Sequence, residues 1–234
     1  MGEFRDQVAL ITGASGLLAS GVVPVFRAGG ASLVLTCGDE RLYERFPDLA
    51  SDQAHLCYPA TDLSDAETVD GLVAAAVERF ARIDVLVNIV GGWDAGQAVH
   101  ETSVSTWQTM FQMNATIAFL MSRAVIPTML EQSSGKIINI GARPGLRASG
   151  QDAAYAASKA ALLRLTESMS EEYKRRGIRV NAVLPSAVVT EEQFAEDPHS
   201  GVTPAQLGKV IAFLASDAGS IINGVAIPAY GTKF

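Results

Sequence analysis

Tyr155 and Lys159 stand four residues apart in Gln151-Asp-Ala-Ala-Tyr155-Ala-Ala-Ser-Lys159-Ala-Ala-Leu-Leu, a stretch with a polar lead-in and an Ala/Leu-rich body. Such a segment predicts the opening turns of a helix, and residues four apart share a helical face. A phenol, with a reference pKa of about 10, exchanges protons poorly at neutral pH. An ammonium one turn away favours the phenolate and should lower that barrier. Tyr-x-x-x-Lys is therefore a candidate acid/base unit. Alone it is a weak signal, because tyrosine and lysine fall at this spacing on many solvated helices.

The elements that must position this pair alternate from end to end. Short apolar runs at 8–12, 32–36, 55–58, 85–89, 136–140, 179–184 and 225–228 predict strands, and several lack polar alternation, as strands covered on both faces do. Helical patterns lie between them at 17–28, 41–49, 65–80, 104–131, 153–176 and 204–215. This alternation implies an α/β fold, a doubly wound parallel sheet of about seven strands with helices on both faces, as a single domain over residues 1–234.

Composition narrows the function. Hydrophobic residues make up 48% of the 234 and charged ones 18%, which suits a large core and excludes a disordered chain. A net charge of −7 and a pI near 5.0 argue against a nucleic-acid partner. Only Lys174-Arg175-Arg176 cluster, where a helix should end and cations suit its dipole. Cys37 and Cys57 are the only cysteines and no secretory segment precedes Gln7, so a reducing, cytoplasmic setting is expected. His55, His100 and His199 are isolated, giving no metal site, and no apolar run reaches the ~20 residues that span a bilayer.

In a doubly wound sheet, ligands bind beyond the carboxyl ends of the strands, so the residues after each strand carry the information. The first strand leads into Thr12-Gly13-Ala14-Ser15-Gly16-Leu17-Leu18-Ala19, a turn that can bring backbone amides and a helix N-terminus against a pyrophosphate. The third leads into Asp62-Leu63-Ser64-Asp65, and the fourth into Asn88-Ile89-Val90-Gly91-Gly92. Asn114 lies inside the long helix that follows, with Pro127 as the expected kink. The fifth leads through residues 141–145 to Tyr155, and the sixth into Pro185-Ser186-Ala187-Val188-Val189-Thr190.

Taken together, these pieces, with Phe213-Leu-Ala-Ser-Asp217 ahead of the last strand, resemble the short-chain dehydrogenase/reductase (SDR) family over residues 7–231. The resemblance implies a Rossmann-type α/β/α fold and hydride transfer between NAD or NADP and a small carbonyl or secondary alcohol. It implies Tyr155 as proton donor or acceptor, and Lys159 as the residue that binds the nicotinamide ribose and depresses the tyrosine pKa. Asn114 would hold a water that relays protons to Lys159. It carries over a cofactor-binding set of Gly13, Ser15, Gly16, Leu18, Asp62, Leu63, Asn88, Gly91, Tyr155, Lys159 and Thr190, with Asp62 at the adenine and Thr190 at the carboxamide. It also implies pairing of the helices at 104–131 and 153–176 between subunits, as a homodimer or homotetramer.

Several working positions depart from the family pattern. The substrate-steadying serine 13 residues before the tyrosine is Ala142, with Arg143 beside it as a possible substitute donor. The second and third glycines of the phosphate loop are Leu17 and Ala19, with Gly16 one residue early. Around the ribose-selecting position stand Cys37-Gly38, and Asp39 comes two residues later. These changes leave an alternative open: a non-catalytic relative acting as a scaffold, as the partner of an active paralogue in a hetero-oligomer, or as a nucleotide-binding regulator. For the substrate, the acids Glu191, Glu192, Glu196 and Asp197 disfavour an anion, whereas Arg143 and Arg147 favour one. Trp93 is a candidate for the pocket wall.

Overall fold

The computed structural model describes residues 2–232, so residues 1, 233 and 234 of the domain expected over 1–234 lie outside the described residues. Its strands are β1 (Val8–Thr12), β2 (Ser32–Thr36), β3 (Leu56–Tyr58), β4 (Val85–Asn88), β5 (Gly135–Ile140), β6 (Ile178–Pro185) and β7 (Ala226–Ala229). They pair in parallel in the order β3-β2-β1-β4-β5-β6-β7. Chain direction across the sheet reverses between β1 and β4, which opens a crevice beyond their carboxyl ends.

The helices are α1 (Ala19–Ala28), α2 (Leu42–Arg45), α3 (Ala66–Phe80), α4 (Val104–Phe111), α5 (Ile117–Gln132), α6 (Ala153–Tyr173), α7 (Glu191–Glu196) and α8 (Pro204–Ala215). Successive strand residues point to opposite faces, so an unbroken apolar run supplies both. Ala9, Ile11, Leu33, Leu35 and Val87 pack with Val22 and Phe26 of α1 and with Leu207 and Ile211 of α8. Val8, Leu10, Val34 and Leu86 pack on the other face with Val69 of α3, Met121 and Val125 of α5 and Met169 of α6. Helices α1 and α8 meet at two glycines. A Cβ on Gly208 would stand 2.4 Å from the Gly21 oxygen, and one on Gly21 would stand 2.0 Å from the Pro204 carbonyl.

The structure corrects several boundaries. Helix α1 begins at Ala19 rather than 17, because residues 14–18 are taken up by turns. The helix expected over 41–49 stops at Arg45, ahead of Pro47, which opens a separate 3-10 turn, Pro47–Ala50. Strand β3 starts after His55, whose Nδ1 accepts the Leu33 amide at 3.1 Å in place of a ladder bond. The segment after Thr190 forms α7, closed by a reciprocal Thr190–Gln193 capping box. The long helix is irregular at a π turn, Gln112–Thr116, upstream of Pro127, which sits inside α5.

That helix also corrects the membrane expectation. By length and composition Val104–Gln132 is apolar enough to cross a bilayer, with mean hydropathy 1.3. The fold accounts for its apolarity, since Ile117, Leu120, Met121, Val125, Ile126 and Met129 are buried in the layer beside the sheet.

Candidate active site

A cleft of about 590 Å3 runs along the carboxyl edge of the sheet, within the usual size for small-molecule and cofactor sites. Strand order dictates what lines it. Gly38, Asp39 and Arg41 follow β2, Gly13 and residues 15–18 follow β1, and residues 89–93 follow β4. Ala142 follows β5 and contributes beside Tyr155 and Lys159 of α6, while Ser186 and Val188 follow β6.

The turn after β1 needs its first glycine. Gly13 has φ +67°, and a Cβ there would come within 3.2 Å of the Val90 amide nitrogen. Gly16 N–H closes the turn on Gly13 O at 3.0 Å, and Arg45 Nε holds it from outside through the Ser15 carbonyl at 2.8 Å. Among the described residues, the Leu17 and Leu18 amides donate to no protein acceptor, which leaves two N–H groups at the mouth of α1 for phosphate oxygens. Leu18 turns its side chain into the core, whereas half-buried Leu17 stands on the cleft wall. Farther along, a Cβ on Gly91 would lie 2.9 Å from Asn114 Oδ1 and 3.2 Å from Lys159 Nζ, so glycine lets those two groups stand this close to the backbone. Spare amides and a bare backbone passage suit an elongated, phosphate-bearing cofactor.

The acid/base pair lies on α6 as the spacing predicts, but its electrostatics differ from the expectation. Lys159 is 4% exposed, and its Nζ donates to the Ile140 carbonyl at 2.8 Å. Burial alone pushes its pKa down from 10.5 to about 8. Tyr155 is not depressed. Burial, with a smaller contribution from the Asp152 carboxylate, raises its pKa above 10.0. Desolvation of the phenol outweighs an ammonium turned toward the strand end. The phenol is therefore protonated at neutral pH.

Asn114, 1% exposed, occupies the π turn. Its Oδ1 accepts the Gly92 amide at 3.0 Å and its Nδ2 donates to the Gly92 carbonyl at 3.0 Å. Nδ2 also donates to Ser158 Oγ at 3.1 Å, and Ser158 Oγ donates in turn to the Tyr155 carbonyl at 2.8 Å. One amide thus fixes the loop after β4 to the helix that carries the tyrosine. Ser158 was not singled out in the sequence, where a serine beside the lysine carries no periodic signal.

The structure brings Gly13, Ser15, Gly16, Leu18, Gly91, Tyr155 and Lys159 to one wall, with Asn114 just behind it. The other sequence candidates lie elsewhere. Asn88 Nδ2 donates to Asn139 Oδ1 at 2.9 Å inside the sheet, and Asn139 Nδ2 donates to Thr166 Oγ1 at 2.9 Å. Asp62 is exposed and accepts the Ser64 amide at 2.9 Å, Leu63 is in the core, and Thr190 caps α7. Asp39 reaches the wall although it comes late in sequence; the Arg41 side chain first, then the Arg41 amide and Ser15, hold its carboxyl below the usual range. Met113 also lines the cleft, and its helical position gave no hint of this.

A family model described as short chain dehydrogenase matches residues 7–199. The oxidoreductase UcpA of Salmonella typhimurium is 32% identical over 246 aligned positions, covering 96% of this chain and 93% of that protein. The 2-(R)-hydroxypropyl-CoM dehydrogenase of Xanthobacter autotrophicus is 32% identical over 247, covering 95% and 96%. Among solved structures, 3-ketoacyl-(acyl-carrier-protein) reductase from Brucella melitensis, complexed with NADH, is similar with TM-score 0.85 at 29% identity over 97% of each chain. Levodione reductase is similar with TM-score 0.87, also at 29% identity over 97% of each chain. Sequence and architecture agree over nearly the whole length: this chain belongs to the short chain dehydrogenase family, as an NAD(P)-dependent oxidoreductase.

Proposed function

We propose that this protein reduces a carbonyl to a secondary alcohol, with Tyr155 giving the proton and NADH as the preferred cofactor. The observation that carries the reading is a protonated, half-buried phenol on the cleft wall, one helical turn from a buried lysine. When bound, the nicotinamide supplies hydride to the carbonyl carbon. Tyr155 donates to the developing alkoxide, a general-acid role. Lys159 places a positive charge behind the phenol and offers its remaining N–H donors to cofactor hydroxyls. Asn114 acts as a positioning residue, holding Gly92 against the catalytic helix.

The Leu17 and Leu18 amides would take the phosphates. For the ribose, Asp39 supports NAD over NADP. It is a carboxylate on the wall already paired with Arg41, at 2.6 Å, and a 2′-phosphate would have to break that pair and face the acid. Cys37 and Cys57 are free thiols, which supports a reducing, cytoplasmic setting. We place the whole function in one domain.

The test is titration with NADH and NADPH, followed by turnover with a panel of ketones. NADH should bind about tenfold tighter or more, and Tyr155→Phe should remove turnover while NADH still binds. No binding of either nucleotide at millimolar concentration would sink the reading.

A further inference from the structure

Charge is distributed unevenly along this cleft. Beyond β2 the wall carries Asp39 and Arg41. Beyond β4, β5 and β6 it carries Trp93, Met113, Ala142, Pro185 and Val188, with Ser186 as the one hydroxyl besides Tyr155. On that half, among the described residues, Lys159 is the only cationic side chain, and its Nζ already donates to the Ile140 carbonyl. Arg143 and Arg147 are exposed and lie off the wall, as do the acids of α7. The opposing charges in the sequence are therefore set apart from this stretch of the wall. A carboxylate or phosphate lodged beside Tyr155 would lose its water and meet only the one buried ammonium of Lys159, held toward the Ile140 carbonyl.

Shape comes from Trp93. Trp93 is 72% exposed although it lines the cleft, so a large apolar side chain stands there largely uncovered by the chain. Met113 lines the same cleft, and its sulfur lies 2.8 Å from where a Cβ on Gly92, the residue before Trp93, would sit. An exposed indole and a thioether on one wall offer a flat apolar ring the kind of contact aromatic side chains favour. We infer that the substrate is an uncharged cyclic or aromatic ketone (or its alcohol) that lies against Trp93. This rests on the oxidoreductase reading of the same cleft.

The test uses a Trp107→Phe background, which leaves Trp93 as the single tryptophan. Trp93 emission is followed as acetophenone or its charged analogue 4-acetylbenzoate is added, with and without NAD+. Acetophenone should quench at concentrations about tenfold lower than 4-acetylbenzoate. In steady-state reduction, kcat/KM should favour the neutral ketone by about a hundredfold, and Trp93→Ala should raise its KM about tenfold with a smaller effect on kcat. Equal quenching by the carboxylate, or an unchanged KM in Trp93→Ala, overturns the inference while leaving the oxidoreductase reading intact. Selective quenching by acetophenone in a protein that calorimetry shows to bind no nucleotide upholds the ligand class and removes the dehydrogenase chemistry instead.

Discussion

Lys159 is an ammonium withdrawn from water, with its Nζ donating to the Ile140 carbonyl. Its pKa of about 8 against 10.5 for an exposed lysine means that the unfolded chain binds more protons between those two values. Stability therefore rises with pH through that window, and the deficit is complete below about pH 8. Urea denaturation of the free protein, compared with Lys159→Met, should show this group contributing about 3 kcal/mol of the rise between pH 8 and 10.5. Ala142 yields a second prediction at this scale. It lines the cleft, and Ala142→Ser should raise kcat about tenfold or more by adding a second donor to the substrate oxygen. Steady-state kinetics on the ketone panel decides it. The pair Tyr155/Lys159 was legible because helical spacing alone fixes their shared face. The direction of the tyrosine shift was not, because burial is a property of the folded neighbourhood rather than of four residues.

Among elements, the α1–α8 contact is the least forgiving. Gly208→Ala should lower stability by about 1–3 kcal/mol, since the added methyl presses on the backbone of Gly21. Gly71→Ala is the control. That glycine lies within α3 with nothing within 4 Å of a new Cβ, so thermal denaturation should show a gain of about 0.5–1 kcal/mol. The start of β3 carries a pH dependence. His55 accepts the Leu33 amide through Nδ1, and burial lowers its pKa below 6.5. The unfolded chain takes up that proton first, so stability held above about pH 6.5 falls as the solution is acidified, and denaturation of His55→Gln should show a shallower fall. The strands were readable from unbroken apolar runs. The π turn was not, since it inserts a residue without any glycine or proline to mark it.

For the whole molecule, fold class followed from alternation alone, because parallel strands need crossover helices. Quaternary structure rests on less. Trp107 and Phe119 are exposed at 44% and 47% along α4 and α5, and a homo-oligomer that covers them should sediment at a multiple of the 24.6 kDa chain. A species of one chain mass at micromolar concentration would refute it. The remaining consequence lies in the sheet. Asn88 and Asn139 face each other across β4 and β5, and Thr166 completes the chain of side-chain bonds from α6. Because side chains alternate between faces, a strand that slipped by one position would break the Asn88–Asn139 and Asn139–Thr166 bonds in a dry interior. Oily residues on both sides tolerate many misalignments. These polar rungs favour the one alignment in which Asn88, Asn139 and Thr166 meet.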